Sequence, residues 1–250
     1  MTHPYYQYNK QQLLAHPKIP LEVFPDNESV FRAMADEMVS EIKRKADLNE
    51  TCVFICPVGP VGQYPYFVSR VNQERISLKH CWFINMDEYL DDDKQWVPMD
   101  HPLSFRGFME RTVYSQIAPE LNVPKEQRVF PNPEDLTRIP ALIDALGGVD
   151  ICFGGIGING HLAFNEADAS KSPRSLSLWK HACFPSPRRR VRPTPSATLA
   201  ALWRICPSTA SPSGSMKSTP PARYAWVSFE PGTGPWCGGR PTARGPQRSR

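Results

Sequence analysis

The chain has 250 residues, of which 40% are hydrophobic, 22% charged and 10% aromatic, and its formal net charge is +4. This is enough apolar material to build the core of one α/β domain or two small ones. No apolar run approaches the roughly 20 residues needed to span a bilayer, and the start, Met1-Thr2-His3-Pro4-Tyr5, has neither a basic n-region nor an apolar h-region, so neither a membrane span nor a signal peptide is expected.

The net charge hides an asymmetry. Residues 1–170 carry 15 Lys+Arg against 24 Asp+Glu, whereas residues 171–250 carry 14 against 1. A split of this kind suggests a basic tail for nucleic acid or an anionic membrane. The seven cysteines show no paired CxxC spacing. Cys52, Cys56, Cys81 and Cys152 lie in or beside strand-like segments and read as reduced core thiols of a cytoplasmic protein, so no metal site is expected.

In chain order, residues 1–28 are polar and turn-rich, an N-terminal strap. Ser29 can cap a helix running to Lys45, with Phe31, Met34, Met38 and Ile42 on its apolar face. Residues 51–57 form a short apolar, β-branched run, a strand. The glycines and proline of 58–63 then make a turn that leads from strand to helix. Residues 81–86 predict a second buried strand, with Asp87-Glu88-Tyr89 at its end. Ser104 can cap a helix with Phe105, Phe108, Met109 and Val113 inward. Residues 133–146 are helical in pattern, Pro140 should kink or divide them, and Gly147-Gly148 ends them. Residues 149–153 are a third strand. Strands alternating with helices imply a parallel sheet wrapped by helices.

Residues 171–250 differ. They hold 13 of the 27 prolines and show no sustained helical or alternating pattern. Composition alone makes them a disordered basic tail.

The chemistry concentrates in Ile151-Cys152-Phe153-Gly154-Gly155-Ile156-Gly157-Ile158-Asn159-Gly160-His161-Leu162-Ala163-Phe164-Asn165-Glu166-Ala167. An apolar strand breaks into a glycine turn, a histidine follows, and a carboxylate lies five residues further on. Open α/β sheets bind their ligands at such carboxyl ends. Gly155, Gly157 and Gly160 literally match the dinucleotide fingerprint, but they open a late strand–turn unit, and no acidic residue follows at the required strand end. The same glycines could instead admit a sugar or phosphate oxygen to backbone N–H groups. His161 and Glu166, taken as an isolated pair, read first as a structural histidine beside a solvated carboxylate. With Asp87 at a neighbouring strand end, they make a set suited to moving protons between adjacent carbons and oxygens. Pro57-Val58-Gly59-Pro60-Val61-Gly62-Gln63 lacks the Lys and Ser/Thr of a P-loop. It is either an ordinary turn or a backbone cradle for one phosphate. Asp91-Asp92-Asp93 reads most simply as a solvated loop.

Three motifs together, Phe83-Ile84-Asn85-Met86-Asp87-Glu88-Tyr89, His101-Pro102-Leu103-Ser104-Phe105-Arg106 and the run from Gly155 to Glu166, resemble the glucosamine-6-phosphate isomerase/deaminase family in order and spacing. The resemblance covers roughly residues 20–169. It implies an α/β fold: an open, mostly parallel, Rossmann-like sheet flanked by helices, incomplete at the C-terminus as the sequence stands. It also implies aldose–ketose isomerisation with loss of ammonia. Asp87 would match the base that moves the C2 proton to C1. His161, oriented by Glu166, would match the group that opens the sugar ring, and Gly59, Pro60, Val61, Gly62 and Gln63 would match part of the phosphate site. Asn159 stands where many members carry aspartate and some carry asparagine. The turn lacks the hydroxyl residue common in members. The implied partner is a small-molecule sugar phosphate, with no nucleic acid, no membrane, no cofactor and no metal; a homo-oligomer is compatible with the reading.

The resemblance stops near Ser170. We read residues 1–170 as the isomerase/deaminase-like domain and 171–250 as the product of a shifted reading frame. If each codon is rebuilt from the third base of one codon and the first two of the next, the segments 180–205 and 216–247 permit strings that resemble the family's C-terminal half. One of them has alternating, β-branched strand patterns that the tail itself lacks. The excess of Arg, Pro, Ala, Gly and Ser then follows from a GC-rich gene read out of frame, and the basic charge is accidental. A tail that binds single strands would interleave stacking aromatics with its charge; Trp203, Tyr224, Trp226, Phe229 and Trp236 are sparse and unpatterned. The competing readings are a lactone hydrolase of the 6-phosphogluconolactonase type, a non-catalytic sugar-phosphate sensor, and a basic-tailed nucleic-acid binder.

Overall fold

A computed structural model describes residues 7–15, 21–135, 137–156 and Ala163, together with the strand backbones 182–185, 195–198 and 223–228. After a short helix α1 (Lys10–Ala15), the first long element is α2 (Asn27–Asp47). Its cap is Asp26 rather than Ser29: the Asp26 carboxylate accepts the Ser29 N–H at 2.7 Å. The sequence offers two acceptable caps three residues apart, and the helix takes the earlier one. The apolar face expected for this helix includes Met34, Met38 and Ile42, which are buried with Ala35 and Val39.

Strand β1 (Cys52–Cys56) is buried at every position. It leads through the glycine turn into α3 (Gln63–Gln73), and β2 (Cys81–Asn85) follows. A short strand β3 (Asp87–Tyr89) continues past the end of β2, and α4 (Phe105–Thr112) begins at Ser104, whose hydroxyl accepts the Gly107 N–H at 3.1 Å. Then come the two-residue strand β4 (Arg128–Val129), α5 (Arg138–Ala145) and β5 (Ile151–Ile156). Pro140 does not divide α5. The helix starts only at Arg138, so Pro140 sits in the first turn, where an N–H has no partner to lose.

β6 (Ala182–Pro185), β7 (Pro195–Thr198) and β8 (Arg223–Ser228) lie in the segment whose composition predicts disorder. This differs from expectation. Arg223–Ser228 pairs in parallel register along all of β5, from Ile151 opposite Arg223 to Ile156 opposite Ser228. Its Tyr, Trp and Val are residues that suit a pleated surface, and β5 offers it an edge.

The main sheet has the order β4-β2-β1-β5-β8 and every pairing in it is parallel. A second sheet, β3-β7-β6, is antiparallel. Strand β1 shows why the main sheet is covered on both faces. Cys52, Phe54 and Cys56 join one core with α2, α3 and α4, while Val53 and Ile55 join a second core with Ile139 and Ile143 of α5. Alternation with period two thus feeds two hydrophobic layers, the pattern required of a parallel strand buried on both sides. Phe54 meets Phe153 edge-on at 5.5 Å between ring centres.

The start of β5 is pinned by charge. Asp150 accepts the Val53 N–H at 2.8 Å through one carboxylate oxygen and the Lys45 ammonium at 2.8 Å through the other. The four described cysteines, Cys52, Cys56, Cys81 and Cys152, are buried.

Candidate active site

The chain passes from β1 to β2 to β4 in one direction and then returns to the other side of β1 with β5. The direction of winding therefore reverses between β1 and β5. In open α/β sheets the crevice beyond the carboxyl ends at such a switch point is where ligands bind. The turn after β1, Asp87 after β2 and the end of β5 all lie at that end of the sheet.

The turn is held from several sides. Gly59 has φ +131°, a conformation open to glycine. The Gln63 amide donates to the Pro60 carbonyl at 3.0 Å, and the Tyr64 hydroxyl donates to the Pro57 carbonyl at 2.5 Å. Gly62 caps α3, so the first amides of an 11-residue helix open onto the turn. Gln63 Oε1 is buried and has no hydrogen-bond partner among the described residues, which leaves an acceptor for an incoming donor. The turn also touches β5. A Cβ placed on Gly155 would lie 3.0 Å from Pro60 Cδ and 3.2 Å from the Gly59 carbonyl oxygen, tighter than side-chain carbons normally pack. The glycine of the third motif is therefore what lets the first turn close over β5.

Asp87 is an acidic group at this end of the sheet. It is 7% exposed, and burial, followed by the negative charge of Glu88, pushes its carboxyl up from 3.8 to about 8. Its charge is felt by Tyr64 in α3. A carboxyl that titrates near neutrality and lies at a strand end can both take and return a proton.

The sequence motif assigns Glu88 no role of its own. The structure places it at 0% exposure, where it accepts the backbone N–H groups of Phe105 and Arg106 at 2.8 Å each. It also accepts its neighbour Tyr89 N–H at 2.9 Å, the Arg106 Nε–H at 3.2 Å and, at 3.5 Å, the Ser104 hydroxyl. Arg106 is fixed in turn by the Val97 carbonyl at 2.6 Å and by stacking on Trp96 at 4.3 Å. The only local signal was an acid beside an acid. Apart from Tyr89, its partners are 16 to 18 residues away, beyond the reach of any periodicity.

Asn159, His161 and Glu166 lie outside the described residues. Ala163, between them, has φ 53° and packs against the core layer that contains Cys152. The Asp91-Asp92-Asp93 run forms a local turn in which Asp91 accepts the N–H groups of Asp93 and Gln95 at 3.0 and 2.9 Å. Among the described residues no cluster of His, Cys, Asp and Glu could hold a metal ion, and no helix is long and apolar enough to cross a membrane.

Comparison with known proteins bears on this arrangement. A glucosamine-6-phosphate deaminase of Porphyromonas gingivalis is 32% identical over 163 residues, covering 62% of this chain and 59% of that protein. The corresponding protein of Parabacteroides distasonis is 32% identical over 162 residues, covering 62% and 57%. Over this stretch the chain is similar to glucosamine-6-phosphate deaminases. It spans somewhat less than three-fifths of the length of these family members. A solved monomeric glucosamine-6-phosphate deaminase superposes with a TM-score of 0.59 at 21% identity, covering 74% of this chain and 77% of that one. The 6-phosphogluconolactonase of Trypanosoma brucei superposes with a TM-score of 0.51 at 13% identity, covering 73% and 76%. The deaminase family and the lactonases thus share this fold, a parallel sheet flanked by helices. No family model matches the chain.

Proposed function

We propose that this sequence encodes an amino-sugar phosphate isomerase/deaminase that converts glucosamine 6-phosphate and water to fructose 6-phosphate and ammonia. The observation that carries the reading is Asp87: a carboxyl buried at the crevice end of β2, raised to about 8, in a chain 32% identical over 163 residues to a glucosamine-6-phosphate deaminase. In this mechanism Asp87 removes the C2 proton and returns it to C1 across one face of an enediol-like intermediate. Near neutral pH the group exists in both forms, which suits a carrier that must accept and then donate. His161, oriented by Glu166, opens the pyranose ring by handling the ring oxygen. Asn159 hydrogen-bonds the sugar chain, since an amide cannot act as the base. The turn of Gly59, Pro60, Val61, Gly62 and Gln63 holds the phosphate through backbone amides and the first turn of α3.

We further propose that residues 171–250 supply no catalytic group and are an out-of-frame reading of the family's C-terminal half. Resequencing the DNA across codons 165–176 tests this. A single missing base supports it, and an intact frame overturns it.

The activity test is ammonia release from glucosamine 6-phosphate, measured on the chain as it stands and on the frame-restored chain, with 6-phosphogluconolactone as the competing substrate. Turnover of the amino sugar is expected in the restored chain, and Asp87→Asn should lower it about 10²–10⁴-fold. Lactone hydrolysis with no ammonia release would replace the deaminase reading with the lactonase one.

A further inference from the structure

Asp87 and Glu88 are adjacent in an extended strand, so their side chains point to opposite faces. Among the described residues, donors surround one of these carboxylates and not the other. Glu88 receives the two leading amides of α4, the Arg106 guanidinium and the Ser104 hydroxyl, whereas no donor among the described residues reaches the Asp87 carboxyl. A fully buried carboxylate costs several kcal/mol unless donors satisfy it. Here the donors are the unpaired amides of a helix N-terminus, which favour negative charge. The strand carrying Asp87 is thereby bolted to α4 one residue from the reacting group.

We propose that Glu88 is a positioning residue for Asp87: its clamp on the start of α4 fixes the backbone that presents the Asp87 carboxyl to the crevice, and it sets a second carboxylate on the opposite face of the same strand, one residue away. This rests on the reading of Asp87 as the proton carrier, but the placement and the charge coupling can be measured without turnover. Among the described residues, the titratable groups coupled to the Asp87 charge are Glu88 and Tyr89 on its own strand and Tyr64 on α3; Arg106 of α4 faces Glu88. Glu88 has a structural duty as well, since it caps α4, and a loss of stability on its replacement would not by itself distinguish the two roles.

The test is a carboxyl ¹³C titration of the full chain, with Asp87→Asn identifying the Asp87 signal. Glu88→Gln keeps the shape and removes the charge. It should move the Asp87 midpoint down by roughly half a unit to one unit. Arg106→Gln leaves the backbone clamp in place and removes the cation that offsets Glu88, so it should move the midpoint up. Opposite signs in the two variants support the proposal, and an unmoved midpoint in both overturns it. If Glu88→Gln fails to fold, the Arg106→Gln arm decides alone: an upward shift supports the coupling and no shift rejects it. Ammonia release is followed in parallel. Coupled midpoints in a frame-restored chain that releases no ammonia would sink the deaminase reading and leave the Glu88 coupling standing. Release with uncoupled midpoints would do the reverse.

Discussion

Asp87 makes the pH dependence of this molecule readable at the scale of one residue. Its folded value of about 8 stands above the ordinary 3.8. A carboxyl raised in this way binds more protons in the folded than in the unfolded chain, so its contribution is fully present below the unfolded value and is lost as pH rises through about 8. Asp87→Asn is neutral at every pH. The variant should therefore be more stable than the parent near pH 8, with the difference shrinking toward about pH 4. Urea unfolding at the two pH values checks this; an equal difference at both would mean that Asp87 is not desolvated. Asp87 was legible in the sequence because an acid closing an apolar strand has few structural reasons to be there. Glu88, next to it, was not legible, because its partners come from a helix that begins at residue 105.

At the scale of elements, the sequence signals that succeeded were local ones. Ser104 followed by an amphipathic stretch marks the start of α4, and Ser104→Ala should cost about 1 kcal/mol in urea unfolding. The five-residue strands β1 and β2 were visible as short apolar runs between turn residues. The signals that failed were those with two solutions. Asp26 and Ser29 compete for the α2 cap, and Pro140 could divide a long helix or open a short one. Strands β3 and β4 are three and two residues long, too short to carry any period. Gly155 belongs to this scale too. As a sequence symbol it was part of a weak dinucleotide match; in the structure it is the contact between β5 and the turn after β1. Gly155→Ala should cost about 1–3 kcal/mol through crowding against Pro60, measured by urea unfolding with circular dichroism to confirm the fold.

At the scale of the whole molecule, fold class was legible and topology was not. Alternating strand and helix patterns announce a parallel sheet, but nothing in residues 149–156 says that they will pair with β1 rather than β4. That choice is made by two-sided burial of β1 and by Asp150, whose carboxylate satisfies both Val53 and Lys45. The tail presents the converse case. Its composition predicts disorder, yet Arg223–Ser228 covers the edge of β5. Removing residues 171–250 should therefore leave an unpaired parallel edge and drive concentration-dependent association in light scattering. A truncated chain that stays monomeric at high concentration would show that the edge needs no cover.

The close approach of Gly155 to the turn after β1 also bears on the order in which the molecule forms. The Glu88 clamp closes a loop of 17 residues to Phe105, whereas Asp150 must find Val53 across 97. Closing the longer loop carries the larger entropic penalty, and contacts of long sequence separation slow folding. The two walls of the crevice should therefore mature at different times: the Asp87 wall early, and the wall between the turn and β5 late. Pulsed hydrogen exchange during refolding would then protect the Phe105 and Arg106 amides before those of Val53 and Asp150.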